Sequence, residues 1–367
     1  TVNIRGGTYH EVLNKNIHNN VIGTPSQPIT IQSYNGEKVT FDGTIPLTGT
    51  WTPHDGHIYK LQLIEPVWQL FVDDEMMMNA RWPNARFDDG SVYTRHVWAK
   101  ALDASTSNGY TNGSINTDPT VHDLAASNID ANGAVVIVNN RQFDTYTRSV
   151  TSHVTGQGAF EHGITPHFLD TKIYYYLQGA LSLLDQDKEW HIDVDTNIAY
   201  LWATNGDVPN ESIRGRNQQF VIDAYNWKHV TIKGLDFFAT TVQLTGSNSV
   251  TIEDCNFNYA GSAQRALGVV GTPAATIRLV RHKDRATEGN FVLRNITVRN
   301  SDSQAFFLKG ENLVVENSLF ENLDWASTEA YQPSGTLAFS GDSSRLSYNT
   351  IRNTGTSEAV ASGGGEI

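Results

Sequence analysis

Short runs of alternating apolar and polar residues recur through the C-terminal part of the chain. Val230-Thr231-Ile232-Lys233-Gly234-Leu235-Asp236-Phe237-Phe238 returns, one short period on, as Val250-Thr251-Ile252-Glu253-Asp254-Cys255-Asn256-Phe257. Leu244-Thr245-Gly246-Ser247-Asn248-Ser249-Val250 returns as Leu308-Lys309-Gly310-Glu311-Asn312-Leu313-Val314, an offset that reads as three such periods, with a looser copy at Leu337 to Gly341. Apolar strands ending in Asn-bearing turns follow, at Val292 to Asn300, Val314 to Asn322 and Leu346 to Asn353. Short strands with Gly and Asn corners, at spacings near 20, are what a parallel β-helix needs: inward side chains stack coil on coil, and the corners take left-handed conformations. Residues 226 to 367 hold no amphipathic pattern of helical period, which argues against doubly wound folds and α/β barrels. An ordinary β-sandwich is the alternative, since it too uses many short strands.

The N-terminal stretch, 1–60, reads the same way, with strands at Thr1 to Tyr9, Ile29 to Tyr34 and Val39 to Gly43. Residues 61–225 break the pattern. They are rich in Trp, Tyr and His, carry polar stretches such as Asp103 to Asp123, and include strands at Ala134 to Val138 and Lys172 to Leu177. The organisation expected is therefore N-terminal coils over 1–60, an irregular β elaboration packed on them over 61–225, and regular coils over 226–367. No Pro/Gly/Ser linker marks a boundary, although a separate second domain is the other way to read the middle stretch.

Composition narrows this picture. Across 367 residues the apolar fraction is 39%, the charged fraction 18% and the 30 glycines are scattered, which excludes collagen, coiled coil and long disorder. No run approaches the roughly 18 apolar residues of a membrane span, and Thr1 to Tyr9 alternates like a strand rather than a signal peptide. Acidic residues outnumber basic ones 39 to 26, a net charge of −13, the wrong sign for a nucleic-acid partner. The single cysteine, Cys255, lies in a strand-like run and is expected to be a small buried side chain. It leaves the redox compartment open.

Candidate chemistry centres on carboxylates. Cleaving a glycosidic bond takes two carboxyl groups about 5 to 10 Å apart. Residues one coil apart in such a stack lie about 4.8 Å apart along its axis. Asp302 and Asp324 stand one such period apart, each soon after an Asn-bearing turn, with Asp342 a further period on and Glu329 between Asp324 and Asp342. These four form the acid/base set; the alternative for each is a solvated turn residue. Arg278, Arg281, His282, Lys283 and Arg285 form a concentrated basic run suited to a carboxylate or sulfate, or, given Asp284 and Glu288, a salt-bridged loop. Trp98, Tyr110, Trp227, Trp325 and Tyr331 sit in polar contexts where an indole or phenol face could meet a sugar ring. Asp73-Asp74-Glu75 and Asp88-Asp89 lack the alternating spacing of a calcium loop, and His153, His162 and His167 lack the helical spacing of a zinc protease. No phosphate-binding Gly-rich loop and no Gly-x-Ser-x-Gly elbow is present.

At Ile4-Arg5-Gly6-Gly7-Thr8-Tyr9, Leu70 to Glu75, Asn79-Ala80-Arg81-Trp82-Pro83-Asn84, Tyr175 to Gly179, Leu184-Asp185, Glu189-Trp190 and Ala199 to Trp202, the chain resembles the right-handed parallel β-helix carbohydrate-active enzymes, the pectate-lyase-like superfamily. Within them it is most similar to the β-helical glycoside hydrolases of the xylanase and xylosidase type. The resemblance covers most of the chain through a combination of individually weak motifs. It implies a right-handed solenoid and a secreted, extracellular or periplasmic enzyme acting on a plant or algal polysaccharide. It also implies Trp82 and Trp190 as packing anchors, Arg81 bound to backbone carbonyls, and further chain beyond both ends. The function expected is a glycoside hydrolase using the carboxylate pair, with Arg281, His282, Lys283, Arg285, Trp325 and Tyr331 on the substrate. A polysaccharide lyase acting on a uronate is the second reading, although the Lys and later Arg of the alginate and chondroitin lyases do not stand out. A non-catalytic adhesin or glycan-binding scaffold is the third. Hydrolysis requires no cofactor; calcium, which lyases of this fold use, is left open.

Overall fold

The computed structural model describes residues 1–13, 20–106, 112–141, 144–165, 173–271, 275–325 and 337–355. It is all-β, and among the described residues three of its sheets are parallel. The first contains Val2–Ile4, Ile29–Ser33, Lys228–Lys233, Asn248–Glu253, Val292–Arg294, Val314–Glu316 and Arg345–Ser347, in that spatial order. The second contains Gly7–Tyr9, Val39–Asp42, Asp236–Phe238, Asn256–Asn258, Thr297–Ser301, Leu319–Leu323 and Thr350–Thr354. Phe220–Tyr225, Thr241–Thr245, Ile277–Val280, Phe306–Lys309 and Leu337–Ser340 form the third. From Phe220 onward the chain visits the three sheets in rotation, so each strand pairs with its counterpart one coil away.

The corners explain the Asn-rich turns. After the first sheet, Asp254, Asn295, Asn317 and Tyr348 all have φ between 50° and 59°; at the C-terminal ends of the second sheet's strands, Tyr259, Asn300, Asn322 and Asn353 have φ between 50° and 56°. Short polar side chains tolerate this left-handed region best, and here they also bond to each other. Asn300 donates to Asn258 at 2.9 Å, Asn322 to Asn300 at 3.1 Å and Asn353 to Asn322 at 3.1 Å. Inside, alternate residues stack by type. Phe41, Phe237 and Phe257 are buried with ring centroids 5.9 and 4.5 Å apart, and Val298, Phe320 and Ile351 continue the column.

Outside, the first sheet carries charges that alternate coil by coil. Lys233 meets Glu253 at 2.9 Å, Glu253 meets Arg294 at 3.7 Å, Arg294 meets Glu316 at 2.7 Å and Glu316 meets Arg345 at 2.6 Å. The step from Leu244 to Leu308 spans two coils, not three: Leu244 pairs with Leu279, and Leu279 with Leu308. Loops between Asn258 and Ile277 and between Val280 and Val292 lengthen these coils, so strand spacing in sequence exceeds the coil's own perimeter.

The coil pairing breaks off between Asp42 and Thr44 and resumes at Phe220, with mainly antiparallel pairing between, Met78–Asn79 against Glu189–Asp193 being parallel, whereas the alternation places the change near residues 61 and 225. Ile58–Gln62, in its hairpin with Thr52–Asp55, alternates just as a coil strand does, so period alone cannot separate the two. Nor is the middle stretch irregular throughout. Ala99–Thr106, Asn112–Thr117, Ala159–Gly163, Asp144–His153, Val135–Arg141 and Tyr174–Gln178 close into a six-stranded antiparallel barrel. Ile115, Val136, Tyr175 and Leu177 are fully buried in its core. Trp82 and Trp190 are buried anchors, and Arg81 donates to the Pro83 carbonyl at 3.0 Å.

Candidate functional site

Ser301 pairs with Leu323 across neighbouring coils, and the Asp324 N–H donates to the Ser301 carbonyl at 2.9 Å. Asp302 and Asp324 therefore occupy the same register position one coil apart, at the corner where the chain leaves the second sheet. Neither is a solvated turn residue, since both are buried. The preceding Asn300 and Asn322, left-handed and linked by their amides, fix the direction in which the chain leaves each strand.

Asp302 accepts the Ala263 N–H at 2.9 Å and meets the Arg265 guanidinium at 3.2 Å, with both side chains only 5% exposed. Arg265 in turn donates to the side-chain amide oxygen of Gln178 at 3.2 Å and lies over the Trp325 ring. Burial lifts the Asp302 carboxyl above its ordinary value, working against Arg265, the Ala263 N–H and the more distant Arg216. A carboxyl so placed holds its proton more readily than one in water, which suits a general acid.

Asp302, Arg265 and Trp325 line a small cavity of about 30 Å³ between the coils and the antiparallel sheets, whose far wall includes Trp68, Asn79 and Gln178. That is room for about two waters. The indole N–H groups of Trp68 and Trp325 and the amide oxygen of Asn79 are buried there without a hydrogen-bond partner among the described residues. Buried donors and acceptors in a native protein are nearly always satisfied, so this wall is built to meet polar atoms that are not its own.

The other expected residues fall elsewhere. Asp342 is exposed at the opposite end of the third sheet, where its N–H donates to Glu311 at 3.1 Å. The strand Phe306–Lys309, about 13 Å long, separates that end from Asp302. Asp324 follows a strand of the second sheet and Asp342 a strand of the third, Leu337–Ser340, so the step between them is not one coil. Glu329 and Tyr331 lie outside the described residues, as do Tyr110 and His167. Of the basic run, Arg278 lies in the strand Ile277–Val280, over the Phe307 ring, and the rest sits beyond that strand, at the Asp342 end of the third sheet, where it is largely paired. Arg281 meets Glu311 at 3.2 Å, Arg285 meets Glu288 at 2.8 Å and His282 faces Asp284 at 3.7 Å, leaving Lys283 exposed. Trp325 lines the cavity but offers no open platform: it is 5% exposed, with Arg265 over its ring and the edge of Phe87 against it. Trp98 and Trp227 are likewise buried.

Sequence reading missed Arg265, Gln178 and Arg216. Arg216 is fully buried and donates to Gln69 at 3.0 Å and to the carbonyls of Tyr259 at 2.8 Å and Ala260 at 2.6 Å, tying the returning chain to the coil next to the one that holds Asp302. Arg216 ends the short strand Ile213–Arg216 and Arg265 opens a single helical turn, and neither isolated arginine carries a periodic signal. Among the described residues no three His, Cys, Asp or Glu side chains gather as a metal site would require.

No family model and no curated protein matches the chain. Among solved structures, the chain is similar to one described as "Glycoside hydrolase", with 11% identity and a TM-score of 0.44, over 97% of this chain and 89% of that one. It is similar also to "The complex structure of XylC with xylose", with 12% identity and a TM-score of 0.45, over 88% of this chain and 48% of that one.

Proposed function

We propose that this chain is a secreted carbohydrate-active enzyme, a glycoside hydrolase on a right-handed parallel β-helix, that cleaves a plant or algal polysaccharide with Asp302 and Asp324. Three parallel sheets visited in rotation support the solenoid, and parallel crossovers are right-handed in nearly all proteins. The observation that carries the catalytic reading is the placement of two buried carboxyl groups at one register position of neighbouring coils, the first lining a cavity with unpaired polar groups. One coil's rise, about 4.8 Å, starts the pair near the separation that hydrolysis needs. In this reading Asp302, whose burial favours the protonated form, donates to the leaving oxygen, and Asp324 acts on the sugar or on water. Arg265 positions Asp302. Because Arg281 is paired with Glu311 and Arg285 with Glu288, the basic run lends a lyase little support.

The test is turnover on a panel of neutral and uronate polysaccharides, reading reducing ends together with the ultraviolet absorbance of unsaturated products. Hydrolysis gives reducing ends alone, and Asp302→Asn and Asp324→Asn should each abolish them while sugar binding survives. Full turnover by either folded variant would sink the assignment; unsaturated products would establish elimination, and binding without turnover by the unaltered protein a scaffold.

A further inference from the structure

A second and larger cavity, about 320 Å³, opens on the far side of the Met77 side chain from Asp302. Its volume lies within the range of small-ligand sites, whereas the Asp302 cavity holds only water-sized groups. Trp202, half-buried at the end of Ile198–Trp202, forms one wall and is stacked on His57, with centroids 5.3 Å apart and planes 17° apart. That ring is held in place before any ligand arrives.

The rims are held as well. Tyr59 donates to the Gly206 carbonyl at 2.9 Å, and the Ala203 N–H donates to the His57 carbonyl at 2.9 Å. Opposite, Asp73 and Ser212 exchange hydrogen bonds at 3.0 and 3.1 Å. The lining carries four carboxylates, Asp73, Glu75, Asp207 and Glu211, against one cation, Lys188, which is already bound to Glu75 at 2.8 Å and Asp88 at 3.2 Å. Such a field repels uronates and sulfates. It suits hydroxyl groups, whose O–H bonds to a carboxylate are the strong, charge-assisted kind. The indole supplies the flat apolar face that the C–H side of a sugar ring covers.

The two cavities share Met77 as a wall, and a methionine adapts its shape to what lies against it. We propose that the Trp202 cavity is a binding subsite for uncharged sugar units of the substrate, holding them on one side of Met77 while the reacting bond lies toward Asp302. This deepens the hydrolase reading and rests on it for the word substrate, but not for the binding itself.

The test uses the full chain carrying Asp302→Asn, titrated with xylotetraose, with cellotetraose and with tetragalacturonate, following heat and indole fluorescence. A neutral tetrasaccharide should bind and tetragalacturonate should not. Trp202→Ala should weaken the neutral sugar at least tenfold. Should that variant fail to fold, Glu211→Lys on the exposed rim should admit tetragalacturonate. No binding of either neutral sugar, tighter binding of tetragalacturonate, or unchanged binding in folded Trp202→Ala and Glu211→Lys would overturn the subsite. Unaltered-chain turnover separates the two readings: turnover that ignores Trp202 leaves the hydrolase standing without the subsite. Trp202-dependent binding with no turnover leaves a neutral-glycan pocket without the hydrolase.

Discussion

Replacing Glu189 by Gln should flatten the fall in stability between pH 6.5 and pH 8. Glu189 opens the strand Glu189–Asp193 and is fully buried, facing the N–H of Arg81 at 3.3 Å, the N–H of Asp185 at 3.4 Å and the Gln186 amide at 3.3 Å. These are long bonds. The Arg81 guanidinium is turned onto the Tyr176 ring, 3.9 Å from its centroid. Burial, aided by the charge of Asp185, therefore pushes the Glu189 carboxyl up to about 8 from an ordinary 4.5. In this interval the unfolded chain has released the proton while the folded chain still holds it, so stability is greatest below about pH 4.5 and is lost as pH rises toward 8. The slope approaches about 1.4 kcal/mol per pH unit, which amounts to about 1.5–2 kcal/mol between pH 6.5 and 8. Asp302, which burial also raises, contributes equally to the native chain and to the variant, so their difference in slope isolates Glu189. Burial depresses His191 to about 4 and lowers His162 and His122, so their contribution changes only below the ordinary histidine value of 6.5. Cys255, raised to about 12 by burial, acts only above the ordinary thiol value of 9. The assay is urea unfolding at four pH values for the native chain and Glu189→Gln. Parallel pH slopes would refute the reasoning and show that Glu189 is ionised in the folded state.

Phe237→Ala, in the middle of the buried phenylalanine column, should lower stability by about 3–5 kcal/mol in urea unfolding. Gly310→Ala should cost about 1–3 kcal/mol, because its Cβ would lie 2.6 Å from the Gly289 Cα and 3.1 Å from the Glu288 carbonyl, and a lower thermal midpoint checks it. Asn300→Ala removes a rung of the amide ladder at φ 56° and should cost about 1–2 kcal/mol, with Asn300→Gly recovering the conformational part.

The coils were legible because their strands alternate and their corners need Asn or Gly, two signals that survive in a single sequence. Asp302 and Asp324 were placed in register by the same logic, since the chain from Asn300 to Asn322 makes one coil without a lengthened loop. Where loops grow, the logic fails: it miscounted the coils between Leu244 and Leu308 and put Asp342 beside the wrong neighbours. The barrel was hidden for a different reason. Its strand Asp144–His153 reads Asp-Thr-Tyr-Thr-Arg-Ser-Val-Thr-Ser-His, with Tyr146 and Val150 buried among hydroxyls, too few apolar residues to declare a strand. Burial of Trp325 and of Asp302 could not be read at all, because both depend on sheets contributed by far earlier parts of the chain, around Trp68 and Gln178.

The alternating charges from Lys233 to Arg345 bear on how a repetitive chain avoids assembling out of order. Successive coils present nearly interchangeable apolar surfaces, so a segment that docked one coil too far along would bury its core almost as well. It would, however, set Arg294 beside Lys233, or Glu316 beside Glu253, and like charges directly opposite on neighbouring strands are destabilising. Each rung is weak and partly exposed, yet the sequence of signs acts as a parity check: correct stacking satisfies every rung, and a skipped coil violates the rung at which it occurs.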